Sequence, residues 1–148
     1  MKSESMISSL KYLFYIVFGI QVIVFVSVAF KWIDLSSEAI VVPVAIERYA
    51  LLLTLVSIPA ALKLFFYIMK RNKELQDENA TNTVYVRAFI VRFGILFLIA
   101  SINIILFAFS FNQNFMLCTL ITFTAYLFTY PSTKHLINSR DNNYLNTK

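Results

Sequence analysis

Four long apolar runs, separated by short charged or polar segments, are the feature that most limits how this chain folds. They cover residues 12–30, 49–69, 84–111 and 115–130. A helix needs about 20 apolar residues to cross the hydrocarbon core of a bilayer. The first three runs are long enough. The fourth is short and bounded by aromatic residues, and we expect a tilted helix or long flanking side chains to absorb the mismatch.

The amount of apolar sequence indicates a membrane protein. Of 148 residues, 59% are hydrophobic, which is more than a soluble domain of this size can bury. Backbone groups in lipid must bond within a helix or a closed barrel, and the alternating segments of about ten residues that form barrels are absent. We therefore predict an all-α integral membrane protein, a single transmembrane domain over residues 1–148. Its four transmembrane helices form an up-down bundle at about 10–31, 48–70, 84–111 and 114–131.

The distribution of basic residues predicts the orientation. Lys2 and Lys11 lie at the start of the chain, Lys70 and Arg71 follow the second run, and the segment after the fourth run is also basic. The segment after the first run is net acidic. Cytoplasmic segments carry an excess of Lys and Arg, so we expect a multi-pass protein of the bacterial inner membrane with both short termini in the cytoplasm. The first run is too long and too aromatic for a signal peptide.

Two prolines predict local features of the second helix. Pro43 interrupts the apolar piece 39–46, which either lies at the outer interface or extends the second helix outward. Pro59 lies inside the run and removes one helical hydrogen bond, which predicts a kink. Segment 71–83 is polar and of mixed charge, and it is predicted to be a solvated helix extension and turn.

Residue types that serve in catalysis or bind metals and cofactors are scarce. The chain has one cysteine, Cys118, and one histidine, His135. It therefore has neither a paired thiol motif nor the paired histidines that ligate an intramembrane haem. No carboxylate lies within an apolar run, so paired acids for catalysis at membrane depth are missing. We expect no enzyme activity, no cofactor, no metal site and no nucleic-acid partner.

Polar residues on the third and fourth runs recur at helical spacing. Residues three, four, seven or eleven positions apart share one face of a helix. Arg92, Asn103 and Ser110 share such a face, which should point into the bundle or toward a partner. Gln21 is predicted to contact Asn103, since both lie near the middle of the membrane. On the fourth run the spacing favours a helix-packing stripe, with a pore lining as the alternative; its members are Thr119, Thr122, Tyr126, Thr129 and Thr133.

Two cations lie inside the apolar runs near the cytoplasmic side. Lys63 precedes Lys70 by seven residues, roughly 10 Å along a helix, and Arg92 follows Arg87 by five residues, roughly 7.5 Å. Both are long enough to extend toward the interface. The other interpretation is that Lys63 and Arg92 converge with Lys70 or Arg87 to hold the headgroup of an anionic phospholipid.

These observations favour a non-enzymatic structural or accessory subunit of a membrane complex. Such a protein would pack against itself as a homo-oligomer or against another membrane protein. The alternative is a small oligomeric channel or transporter with hydroxyl and amide faces lining a pore. An enzyme acting on lipid headgroups ranks last, because no constellation of base and nucleophile is visible.

Overall fold

The computed structural model describes residues 2–32, 40–71 and 78–131. This part of the chain is all-helical and contains α1 (Lys2–Ala29), α2 (Val44–Arg71), α3 (Glu78–Ser110) and α4 (Gln113–Leu127). The first three are long and apolar enough to span a membrane. The structure is therefore a helical bundle of the kind that multi-pass membrane proteins form. The expectations for His135 and Thr133 fall outside the described residues.

The first three helices are longer than their apolar runs. α1 begins eight residues before the predicted start at position 10, and α3 begins six residues before position 84. Polar residues at these ends continue the helix, since only the lipid-facing part must be apolar. α2 begins directly after Pro43, whose carbonyl oxygen accepts from the Ile46 N–H at 2.9 Å. The second helix is thus extended at its N-terminal end, and it continues unbroken through Pro59.

The fourth helix is the shortest. α4 contains 15 residues, which is about 22 Å at 1.5 Å per residue, whereas the hydrocarbon core is about 30 Å thick. It ends at Leu127, four residues earlier than the predicted end at 131. The sequence predicts a bundle of four membrane-spanning helices. Within the described residues, the structure confirms four helices, three of which are long enough to span a membrane.

α3 is the central helix of the bundle. It packs most extensively against α2 and α4 and less extensively against α1, while α2 also packs against α4. Bulky aromatic side chains fill the space between α1 and the other helices. Phe14 lies 5.8 Å from Phe93, and Phe18 lies 5.4 Å from Phe123, measured between ring centroids. Such aromatic pairs stabilise the packing of α1, which lies further from α3 than α2 and α4 do.

A tight turn reverses the chain between α3 and α4. Phe111 adopts the left-handed conformation, with φ of 50°, which ends α3. Asn112 then caps α4, because its side chain accepts from the backbone N–H of Asn114 at 2.9 Å. Only two residues separate the helices, so α3 and α4 are antiparallel neighbours. The Asn114 amide also donates to Glu47, which ties this turn to the start of α2.

Candidate functional site

A hydrogen-bonded group around Gln21 joins three helices. Gln21 is only 5% exposed. Its side-chain nitrogen donates to the Ser101 hydroxyl at 2.9 Å and to the Phe97 carbonyl at 3.1 Å. Its side-chain oxygen accepts from the Tyr126 hydroxyl at 2.8 Å. The amide therefore uses both donors and its oxygen, and these bonds hold α1 to α3 and α4.

A second buried polar pair joins α2 to α3. The Asn103 side-chain nitrogen donates to the Thr54 hydroxyl at 2.8 Å, and Thr54 donates to the Ala50 carbonyl at 2.9 Å. Asn103 does not bond to Gln21 as predicted, because it lies two residues beyond Ser101 and points to a different side of α3. Among the described residues, the Asn103 side-chain oxygen has no hydrogen-bond partner.

The hydroxyl stripe of α4 lies inside the protein. The three threonines of the stripe that the structure describes are fully buried. Their hydroxyls donate to carbonyls of their own chain segment: Thr119 to Phe115, Thr122 to Cys118 and Thr129 to Tyr126. Local bonds of this kind satisfy a hydroxyl without a partner on another helix. The stripe is a packed surface, and its side-chain hydrogen bond to another helix is the one that Tyr126 donates to Gln21.

Arg92 is buried where α4 ends. It is 7% exposed, and its Nη2 donates to the Thr129 carbonyl at 2.9 Å. Its guanidinium carbon lies 4.1 Å from the centre of the Phe65 ring on α2. Its Nε has no hydrogen-bond partner within the described part of the chain. Thr129 lies just beyond the end of α4, and a cation near the C-terminus of a helix interacts favourably with the helix dipole.

The remaining basic residues predicted for a lipid site lie on two different surfaces. Lys63 and Lys70 are on the exposed side of α2, and their spacing of seven residues places them on one face. Arg87 is also exposed but lines a groove between α1 and α3, to which neither lysine contributes. The structure thus brings Arg92 to the end of α4 and does not gather all four cations in one pocket.

Three residues that complete these contacts were not singled out from the sequence. They are Thr54, Phe65 and Ser101, which serve as partners of Asn103, Arg92 and Gln21. Ser101 lies one helical turn after Phe97, which places its hydroxyl and the Phe97 carbonyl on the same side of α3, within reach of Gln21. Phe65 lies two residues after Lys63, but nothing in the sequence assigns it to the side of α2 that meets Arg92.

The arrangement is suited to helix association. Within the described residues, the amide groups and hydroxyls noted above are mostly bonded inside the protein, and no group of three or more potential metal-ligating side chains occurs. Comparisons with protein-family models, with characterised proteins and with solved structures find no match.

Proposed function

We propose that the chain crosses a bacterial inner membrane four times, with both termini in the cytoplasm. α4 is short, but residues 128–130 continue from it in a tight turn, in which the N–H groups of Thr129 and Tyr130 donate to the carbonyls of Tyr126 and Leu127. At about 2 Å per residue this turn adds roughly 6 Å. Thr129 and Pro131 are buried, and non-helical backbone is tolerated at membrane depth where protein covers it. The bond from Arg92 to the Thr129 carbonyl supplies one of the partners that this segment needs.

Cysteine labelling tests this topology. In a background with Cys118 replaced, single cysteines at positions 3, 37 and 145 would be exposed to a membrane-impermeant thiol reagent in intact cells. We expect labelling at position 37 alone, and labelling of all three after the cells are opened. Labelling at position 145 but not at position 3 in intact cells would indicate three crossings and contradict the proposal.

We propose further that the protein is a non-enzymatic accessory subunit that docks its α2 face against another membrane protein. The observation that carries this is an exposed stripe on α2, formed by Val56, Ala60, Lys63 and Tyr67 at spacings of four, three and four. Lys63 makes no hydrogen bond or ion pair among the described residues. Ala60 is small enough to let a second helix approach closely. Lys63 would then pair with a carboxylate on that helix.

The alternative of an oligomeric channel or transporter receives less support. A pore between protomers requires polar side chains on an outer face. Gln21, Asn103, Thr119 and Thr122 are instead buried inside one protomer. The exposed stripe on α2 offers one charge among apolar side chains and no continuous row of amides and hydroxyls.

Crosslinking in native membranes tests the docking face. A photoreactive amino acid would replace Ala60, and the matched control would carry it at Ile23, an exposed position on α1. We expect Ala60 to yield a stoichiometric product with one larger membrane protein and Ile23 to yield none. The Lys63→Ala variant should lose co-purification of that partner, whereas Arg87→Ala, which removes an exposed cation on α3, should keep it.

Other crosslinking results would favour the channel or contradict the docking face. A ladder of self-crosslinked products from Ala60, together with solute flux through purified protein in liposomes, would favour the channel. Equal yields of the same product from Ala60 and Ile23 would contradict a specific docking face. Crosslinks to lipid alone at both positions would also rule out docking through α2.

A further inference from the structure

A groove between the start of α1 and the start of α3 lies away from the α2 docking face. Its volume is about 380 Å³, which falls within the range of pockets that hold small ligands. It is lined by Met6, Thr83, Val86, Arg87, Ile90 and Val91. The five residues from α3 recur at helical spacing and form one face of that helix.

The groove is polar at one end and apolar further in. Thr83 and Arg87 lie toward the start of α3. Ile90 and Val91 follow Arg87 by three and four residues, which places them about 4.5 to 6 Å deeper along the helix axis. Ile90 is half exposed, so the apolar part of the groove is open to the surroundings of the bundle. This order of polarity matches that of a membrane lipid, with a headgroup above an acyl chain.

The charged side chains that the structure describes at this end of the bundle are basic. Arg87 is exposed and makes no hydrogen bond or ion pair within the described part of the chain. Lys70 and Arg71 end α2 on the same side of the bundle. Among the described side chains the one carboxylate is Glu47, which lies at the opposite end and contacts Asn114. No described acidic group therefore competes for the Arg87 guanidinium.

We propose that this groove binds one anionic phospholipid, with its phosphate on Arg87 and an acyl chain against Met6, Val86 and Ile90. A guanidinium can hold two phosphate oxygens at once through its planar fork of N–H donors. Basic residues between helices at a membrane surface favour anionic lipids over zwitterionic ones. The inference requires that the bundle lies in a membrane, but it does not depend on docking through α2.

Native mass spectrometry of the full chain in mild detergent tests the proposal. The protein would be titrated with phosphatidylglycerol and with phosphatidylcholine that carry the same acyl chains. We expect the wild type to retain phosphatidylglycerol more tightly, and Arg87→Gln to weaken that lipid about fivefold, the effect of one basic residue near a membrane surface. The matched control, Arg71→Gln, removes an exposed cation outside the groove and should change binding by less than twofold.

Two further measurements distinguish binding of a whole lipid from binding of its phosphate group alone. Ile90→Trp fills the exposed apolar end of the groove, and it should weaken both lipids alike. Inorganic phosphate at millimolar concentration should not displace bound phosphatidylglycerol, because a lipid is held by its acyl chain as well. The proposal would be overturned by equal losses in Arg87→Gln and Arg71→Gln, by equal retention of both lipids in the wild type, or by displacement with phosphate alone.

Discussion

Two cations at similar depth on neighbouring helices have opposite environments. Arg92 on α3 is 7% exposed and bonds to the Thr129 carbonyl, whereas Lys63 on α2 is exposed and unbonded among the described residues. The guanidinium of Arg92 lies against Phe65, only two residues from Lys63. Two residues turn a helix by about 200°, so Phe65 and Lys63 point to opposite sides of α2.

This difference shows that the helix face decides the role of a membrane cation more than its depth does. On an inner face, a charge must find acceptors or aromatic surface within the protein, because burial without a partner is costly. Arg92 finds both in the end of α4 and in Phe65. On an outer face, a long side chain can extend to the interface or meet a partner. Substitutions at interior positions and at the exposed Lys63 test this comparison, and they are given from the largest expected effect to the smallest.

Arg92→Ala should produce the largest loss of stability. The variant removes a charge-assisted hydrogen bond, about 1.5 to 3 kcal/mol, and a desolvated cation–π contact of about 2 kcal/mol. Part of this is offset because a buried charge is removed as well. We expect the free energy of unfolding to fall by about 3 kcal/mol, measured by denaturant titration in mixed micelles. A result within about 0.5 kcal/mol of wild type would show that Arg92 is not needed to end α4.

Arg92→Lys sharpens the same experiment. Lysine keeps the charge but lacks the planar group that stacks on Phe65 while donating to Thr129. We expect a stability between those of wild type and Arg92→Ala. Full recovery with lysine would indicate that charge alone matters at this position and that the stacking on Phe65 contributes little.

The sequence predicts some of these features better than others. The three spanning helices follow from run length and hydropathy, which are local properties. The face of α3 with Arg92 and Asn103 follows from periodicity, and both residues are buried. Which residue meets which is a tertiary property. Depth alone predicts that Gln21 pairs with Asn103, yet Gln21 bonds to Ser101 and Tyr126 because α1 and α2 approach different sides of α3.

The shortness of α4 illustrates a second limit. Its apolar run is shorter than the other three, and the sequence alone predicts tilt or long flanking side chains as compensation. The structure shows a contact of a different kind, in which Arg92 from α3 bonds to the carbonyl of Thr129 beyond the helix end. No local pattern in residues 113–131 indicates this, because the donor lies 37 residues earlier in the chain.

Gln21→Leu should have the second largest effect. The substitution removes three hydrogen bonds and leaves the Tyr126 hydroxyl buried without its acceptor. Cross-helix bonds in membrane proteins average about 0.6 kcal/mol, so we expect a loss of about 2 kcal/mol in the free energy of unfolding. Tyr126→Phe in the same background should then cost little more, since the bond is already lost. Additive losses would indicate that the two side chains do not interact.

Asn103→Leu should cost much less than Gln21→Leu, although both positions are buried amides. The Asn103 side-chain oxygen has no partner among the described residues, and Thr54 still donates to the Ala50 carbonyl in the variant. The substitution removes a buried oxygen that has no partner in the described part of the chain, and this gain offsets the loss of the hydrogen bond to the Thr54 hydroxyl. We expect a change within about 0.5 kcal/mol. A loss as large as that of Gln21→Leu would mean that Asn103 holds a further partner inside the bundle.

Lys63→Ala should change stability least, by less than about 0.5 kcal/mol, as is usual for exposed positions that make no specific contact. The same variant should nevertheless lose the membrane partner that we propose docks on α2. One variant therefore gives two readouts, the free energy of unfolding in micelles and co-purification from native membranes. A stability loss as large as that of Arg92→Ala would contradict the comparison, because it would place Lys63 among the interior contacts. Unchanged stability with an unchanged partner would leave the lysine as a side chain that extends to the interface and would remove the docking face from α2.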